Sequence, residues 1–186
     1  MTRTLLVFGH GYTAQALSDR LRPEGWTIIG TTRSADKART LEKIGIEPVI
    51  WPGASLGGAL GRASHILASI GANAGGDPVL AAHGAEIAEA APHLDWAGYL
   101  STTGVYGDHR GGWVDETTPL TPTTERGRWR VKAEGQWRAV PGLPIHVFRL
   151  AGIYGPGRGP FEKVRDGSAR LIIKKDQFMS RAHVDD

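Results

Sequence analysis

Residues 4–14 read TLLVFGHGYTA, and the fold follows from this stretch. Its four consecutive apolar residues, 5–8, are typical of a parallel strand that is buried on both faces. Gly9 and Gly11 then interrupt the apolar run, and a helical pattern begins near Tyr12. The stretch therefore predicts a buried strand, a tight turn and the start of a helix.

The two glycines and Ala14 match the Gly-x-Gly-x-x-Ala fingerprint of a dinucleotide-binding turn. In this fingerprint the first glycine makes the turn, the second lets the backbone approach a pyrophosphate, and the small third residue lets the helix pack close to the strand. The free N–H groups and the positive dipole end of the following helix favour phosphate. A glycine turn without a ligand is the alternative. The predicted cofactor-binding residues in this turn are Gly9, His10, Gly11, Tyr12 and Thr13.

Apolar runs and helical patterns alternate along the rest of the chain. Strands are predicted at residues 26–30, 47–51, 64–70, 96–102 and 145–150, and helices at residues 13–21, 35–44, 77–93 and 122–140. Residues 52–61 are rich in glycine and show no clear periodicity. The alternation predicts an α/β fold, a doubly wound parallel sheet of the Rossmann type, in a single domain over residues 1–186.

The composition narrows the class of protein. The chain has 186 residues, of which 40% are hydrophobic, and it contains no cysteine. A disulfide framework, a thiolate metal site and a cysteine nucleophile are therefore excluded, and we expect a cytoplasmic location. The basic residues behind the net charge of +3 are mostly scattered, so we expect no nucleic-acid partner. No apolar run is long enough for a membrane span, and the histidines fit no metal-ligand spacing.

The residues after the second predicted strand indicate the type of cofactor. An Asp or Glu about 20 residues beyond the fingerprint would bind the ribose hydroxyls of NAD, but this chain has Thr31, Thr32 and Arg33. Arg33 can pair with a 2′-phosphate, and the threonines can donate hydrogen bonds. NADP is therefore favoured over NAD, although Arg33 could also be a solvated loop residue. Ser69, at the end of the predicted strand 64–70, is a further predicted cofactor contact.

Several motifs in order resemble the extended short-chain dehydrogenase/reductases of the NAD-dependent epimerase/dehydratase family. They are the Gly9 fingerprint, STTGVYG at 101–107, Asp115-Glu116 followed by Pro119 and Pro122, RLAGIYGP at 149–156 and HVDD at 183–186. The resemblance implies an oxidoreductase or epimerase with a small-molecule substrate, such as a nucleotide-sugar or a small carbonyl compound. It also implies that most of the substrate pocket lies beyond residue 186, so we expect the chain to be a fragment.

The resemblance places catalytic groups at two parts of the chain. Thr102 matches the hydroxyl residue that binds the reacting oxygen, at the carboxyl end of the fifth predicted strand. The helix that should carry Tyr-x-x-x-Lys has no tyrosine. One register puts Arg126 and Arg130 at those positions, and the other puts Arg128 and Lys132 there. We prefer the first, because a glycine and an Ala-Glu pair then fall where the family usually has them, and we keep Lys132 as a cofactor contact.

The missing tyrosine limits the expected chemistry. An arginine stays protonated, so Arg126 and Arg130 can stabilise an oxyanion or grip an anion, but they make poor proton donors. The alternative is that these arginines only form the charged, solvent-exposed face of the helix. Tyr106 and Tyr154 also follow strand ends, and we expect neither to replace the missing acid. A cofactor-binding sensor or scaffold without turnover is therefore the alternative to an active oxidoreductase.

The family resemblance also implies a homodimer. The interface would use the predicted helices 77–93 and 122–140. Ile87, Ala91, Val131 and Trp137 could face the partner, or they could simply cover the sheet.

Overall fold

A six-stranded sheet forms the centre of the computed structural model, which describes residues 3–171, 173 and 178–186. Its strands are β1 (Thr4–Phe8), β2 (Thr27–Thr32), β3 (Glu47–Ile50), β4 (His65–Ala68), β5 (Trp96–Thr102) and β6 (Ile145–Leu150). The order across the sheet is β3-β2-β1-β4-β5-β6, and every neighbouring pair is parallel. This is the doubly wound order whose direction reverses beside β1, so the predicted Rossmann fold class is confirmed.

Helices connect the strands. They are α1 (Tyr12–Leu21), α2 (Ala35–Lys43), α3 (Gly57–Leu60), α4 (Pro78–Ala90), α5 (Glu125–Arg138) and α6 (Pro160–Arg165). Two short strands, β7 (Gly152–Tyr154) and β8 (Arg181–His183), pair in parallel as a separate small sheet. Within the described ranges no helix is both long and apolar enough to cross a membrane.

The apolar run in β1 is buried on both faces of the sheet. Leu6 and Phe8 lie in one core cluster, together with Trp137 of α5, and Leu5 and Val7 lie in the other. Alternate side chains of a strand point to opposite faces, so a strand covered by helices on both sides needs apolar residues at every position. This packing fixes β1 in the middle of the sheet and directs the following turn to its carboxyl edge.

Several predicted boundaries differ from the structure. Helix α5 begins at Glu125 and not at residue 122, because the Thr124 hydroxyl caps it by accepting the Gly127 N–H at 3.0 Å. Helix α4 begins at Pro78 with Asp77 as its cap, as predicted, but it ends at Ala90 and is followed by one 3₁₀ turn. Strand β2 continues to Thr32, two residues beyond its predicted end, because residues 31 and 32 pair with β3.

Candidate functional site

The turn after β1 leaves space and free donors for an anionic group. Gly9 has φ +84°, and a Cβ there would lie 2.6 Å from Ile70 Cγ1, so the turn requires glycine. A Cβ on Gly11 would meet only the Gly9 carbonyl oxygen, at 3.9 Å. Helix α1 has no side-chain cap and no acidic residue in its first turn. Its first N–H groups therefore remain available, and the cradle fits a pyrophosphate.

The His10 side chain is buried beneath this turn. The ring packs on Gly30 of β2, where a Cβ would lie 3.0 Å from it, and the residue is 2% exposed. The Ser18 hydroxyl donates to the Ala14 carbonyl at 2.7 Å, so His10 Nε2–H must donate to Ser18 Oγ at 2.9 Å. Burial is the main cause that lowers the pKa of His10 to about 4, and the nearby Lys37 ammonium lowers it further. The imidazole is therefore a neutral part of the scaffold.

A cleft of about 940 Å³ opens beside the turn, at the carboxyl ends of β1 and β2. Arg33, Ser34 and Lys37 line its polar side, while Trp51 and other apolar residues line the remainder. The Lys37 ammonium also donates to the His10 carbonyl. Open α/β sheets bind ligands in such a crevice, beside the point where the strand order reverses. The complete lining is Gly9, His10, Gly11, Thr31, Thr32, Arg33, Ser34, Lys37, Trp51, Pro52, Ile70 and Pro78.

The predicted threonines at the end of β2 lie inside the strand and are mostly engaged. Thr31 is 1% exposed, and its hydroxyl accepts the Gly9 N–H at 2.7 Å. The Thr32 hydroxyl accepts the Ser34 N–H at 3.3 Å. Arg33 is exposed at the cleft. Sequence reasoning missed Lys37, whose only signal is its position one helical turn beyond Arg33.

The other predicted cofactor contacts lie around the cleft without lining it. Tyr12 turns towards the loop after β7, where its hydroxyl donates to the Pro156 carbonyl at 3.0 Å. Thr13 is half-buried in the first turn of α1, and Ser69 follows β4. The Lys132 ammonium contacts the Ala74 carbonyl at 3.4 Å, in the loop before α4.

Arg130 reaches the carboxyl edge of the sheet. Its Nη1 donates to the Leu100 carbonyl at 2.7 Å, to the Tyr99 hydroxyl at 2.9 Å and to the Ile70 carbonyl at 3.4 Å. Ile70 also contacts the Gly9 turn, so it links Arg130 to the cleft. Arg126, one turn earlier on α5, is exposed. The guanidinium of Arg130 therefore places a fixed positive charge between the ends of β4 and β5.

Thr102 ends β5, where its hydroxyl accepts the Gly104 N–H at 3.2 Å. It therefore caps the 3₁₀ turn that follows, and as an acceptor in that bond it keeps its own proton free to donate. Helix α5 comes close to this turn, since a Cβ on Gly127 would lie 2.9 Å from the Gly104 carbonyl. The start of α5 is thus adjacent to the end of β5.

Two tyrosines near the end of β5, Tyr99 and Tyr106, are engaged in the interior, whereas Tyr154 at the end of β7 is exposed. Tyr106 is 6% exposed, and its hydroxyl accepts from Arg149 Nη1 at 2.9 Å. Arg149 also binds the buried Glu134 carboxylate at 2.8 Å, which holds the pKa of Arg149 above its usual range. Tyr99 is fully buried, and burial raises the pKa of its hydroxyl. Tyr106 and Tyr99 therefore present no hydroxyl to the cleft.

The residues named for a dimer interface are mostly in the core. Ile87, Ala91 and Trp137 are at most 1% exposed and belong to the cluster beneath α4 and α5. Of the two alternatives, the structure supports the second for these three residues: their side chains cover the sheet, because the apolar stripe of each helix packs against it. Val131 is half-buried.

Comparisons with known proteins agree with this architecture. No family model matches the chain. The curated Protein YeeZ of Escherichia coli K12 is 28% identical over 85% of this chain, and the chain spans 61% of that relative's length. A solved structure of a functionally unknown conserved protein from Silicibacter pomeroyi is 61% identical, with a TM-score of 0.90; the match covers 98% of this chain and 64% of that one.

More distant structures share the fold, and a UDP-N-acetylglucosamine 4-epimerase is among them. One of them, MoeE5 in complex with UDP-glucose and NAD, is 20% identical with a TM-score of 0.72. That match covers 97% of this chain and 68% of MoeE5. Fold and cleft together define this chain as a Rossmann-type α/β protein with the features of a dinucleotide site.

Proposed function

We propose that this chain is the dinucleotide-binding part of an NAD(P)-dependent oxidoreductase of the epimerase/dehydratase type, with NADP favoured over NAD. The observation that carries the proposal is the cleft beside the uncapped start of α1, with Arg33, Ser34 and Lys37 on its polar side. The turn and the α1 N–H groups would hold the pyrophosphate. The two cations and the serine hydroxyl offer charge-assisted and neutral hydrogen bonds to a 2′-phosphate.

Calorimetry with NADPH and NADH tests the cofactor preference. A charge-assisted contact contributes about 1–3 kcal/mol, so Arg33→Ala should weaken NADPH binding roughly 5- to 150-fold and leave NADH binding unchanged. Arg39→Ala is the matched control, because Arg39 is an exposed arginine of α2 that pairs with Asp36. Equal affinities of the unmodified protein for the two cofactors would refute the preference for NADP.

The catalytic roles follow from the groups at the carboxyl edge. The nicotinamide would supply or accept a hydride when bound. Thr102 would donate a hydrogen bond to the reacting oxygen, and Arg130, with Arg126 beside it, would stabilise negative charge on that oxygen. Neither arginine transfers a proton at neutral pH. Turnover would therefore depend on water or on another tyrosine.

Restoring the Tyr-x-x-x-Lys pair tests the inference that this site has no proton donor. The double change Arg126→Tyr with Arg130→Lys should raise NADPH consumption on a panel of aldehydes, because general acid catalysis typically contributes about 10²- to 10⁴-fold. Arg39→Tyr, at an exposed position of α2, is the control, and Arg128→Tyr tests the other register, because it would form Tyr-x-x-x-Lys with Lys132. The assay uses the full-length protein. The inference that the proton donor is missing would be contradicted if the unmodified enzyme turned over at an ordinary rate and if Tyr106→Phe and Tyr154→Phe left that rate unchanged.

The second candidate function is a cofactor-binding sensor or scaffold without turnover. The specific observation in its favour is that Tyr106 and Tyr99 are buried and bonded to arginines. In this case NADPH would bind, and the full-length protein would consume no substrate. The same binding and turnover assays separate the two candidates.

We also propose a homodimer through the outer faces of α4 and α5. Small and apolar residues line a groove of about 360 Å³ between these helices, including Ala81, Gly84 and Val140. A small-residue face lets a second helix pair approach closely. Light scattering that gave only the monomer mass would remove this proposal.

A further inference from the structure

Helix α4 is interrupted at His83. This residue has φ −133° and ψ 18° inside an otherwise helical segment, far from the helical values near −63° and −42°. The side chain is nearly buried, with 11% of its surface exposed. The departure from helical geometry accompanies a side-chain contact with the segment that follows β3.

The contact is a hydrogen bond between His83 and Trp51. The indole nitrogen of Trp51 can only donate, so its N–H donates to His83 Nε2, at 2.7 Å. The other ring nitrogen, Nδ1, then carries the proton and lies 3.1 Å from the Glu86 carboxylate. This pairing fixes the neutral tautomer of His83 and leaves Nε2 as a single, directed acceptor.

Trp51 is at the same time a wall of the cleft. Its backbone N–H donates to the Thr32 carbonyl at 2.9 Å, next to Arg33. Trp51 therefore has two anchors, its backbone at the end of β2 and its indole on α4. Trp51 is 9% exposed and packs in the core, so part of the residue reaches the cleft, beside the cationic side formed by Arg33 and Lys37. An aromatic surface beside cations is complementary to an aromatic base that carries phosphates.

We propose that His83 is a positioning residue, which holds the Trp51 indole as the surface on which the adenine ring of a bound dinucleotide rests. The inference rests on the proposed function. His83 itself does not touch the ligand. It acts through one hydrogen bond that spans 32 positions of sequence.

The test uses calorimetry with adenosine 2′,5′-bisphosphate, which contains the adenine but no nicotinamide. His83→Leu removes the acceptor, and Trp51→Phe keeps an aromatic ring but removes the donor. Each should weaken binding about 3- to 10-fold, the usual worth of one hydrogen bond. The double variant should be no weaker than the more affected single variant, because both changes remove the same interaction.

His83→Gln provides the rescue. Its amide oxygen reaches roughly the place of Nε2, so binding should stay within about 2-fold of the unmodified protein. A purely structural role of the imidazole would not be rescued in this way. His146→Leu is the matched control, because His146 stacks on Trp96 at 5.9 Å on β5 and β6, away from the cleft. It should leave binding unchanged.

The outcomes separate this inference from the proposed function. If the unmodified protein binds neither NADPH nor the bisphosphate, the proposed function fails and this inference fails with it. If both bind, and Trp51→Phe and His83→Leu bind as well as the unmodified protein, only the inference is overturned. If His83→Leu does not fold, the binding of Trp51→Phe and of His83→Gln tests the inference. Loss of binding in His83→Gln, with its melting temperature preserved, also contradicts the inference.

Discussion

Acid should destabilise this protein through His10, by an amount that the structure allows us to estimate. The pKa of His10 is about 4 in the folded chain, against 6.5 for an ordinary histidine. The unfolded state therefore binds a proton more readily, so stability is fully present above pH 6.5 and is lost as the pH falls towards 4. Each pH unit of difference corresponds to about 1.4 kcal/mol, which gives about 3 kcal/mol in total and about 2 kcal/mol between pH 7 and pH 5.

Urea unfolding at pH 5, 6 and 7, followed by tryptophan fluorescence, measures this loss. His10→Gln is the comparison, because its amide can still donate to Ser18 but does not titrate. The variant keeps every other titratable group, so the difference between the two pH profiles isolates His10. The unmodified protein should lose about 2 kcal/mol more than the variant between pH 7 and pH 5. Parallel profiles would refute the burial argument.

Two further predictions concern the scaffold around the site. Glu134→Ala should reduce the free energy of unfolding by about 3–5 kcal/mol, because it leaves Arg149 nearly buried and unpaired; a loss below 1 kcal/mol in urea unfolding would contradict this. Gly107→Ala should reduce the free energy of unfolding more than Gly25→Ala does. The two glycines have nearly the same φ, +83° and +84°, but only at Gly107 would a Cβ collide with a backbone oxygen, that of Thr121 at 2.2 Å. Strain alone costs about 1–2 kcal/mol, so equal losses of stability in the two variants would show that the collision relaxes freely.

The local parts of the fold could be predicted from the sequence. Residues 4–14 predicted a buried strand, a turn and a helix start, and the structure has β1 at Thr4–Phe8 and α1 from Tyr12. Such elements depend on neighbours in the chain: a run of apolar residues, two glycines and a helical period. The alternation of strands and helices then restricted the topology to a parallel sheet, because a helix between two strands returns the chain to the edge from which the next strand can run in the same direction.

The candidate site was only partly predictable for the same physical reason. Arg33 was found because it stands at a fixed distance along the chain from the fingerprint. Lys37 was missed, since nothing in its spacing says that the first turn of α2 faces the cleft. The sequence left open whether Ile87 covers the sheet or faces a partner, because an apolar stripe has the same pattern in both cases, and the structure buries it against the sheet.

By itself, the sequence determined the class of fold, the position of the glycine turn and the absence of an acid at the end of β2. Only the tertiary structure decided which side chains meet across the sheet. It turned His10 inward to Ser18, directed Arg130 to the ends of β4 and β5, and joined Trp51 to His83. These contacts link residues that are far apart in the chain or depend on which face of a helix is buried. The packing of the whole core determines which of these residues meet, and the local periodicity of the sequence does not predict it.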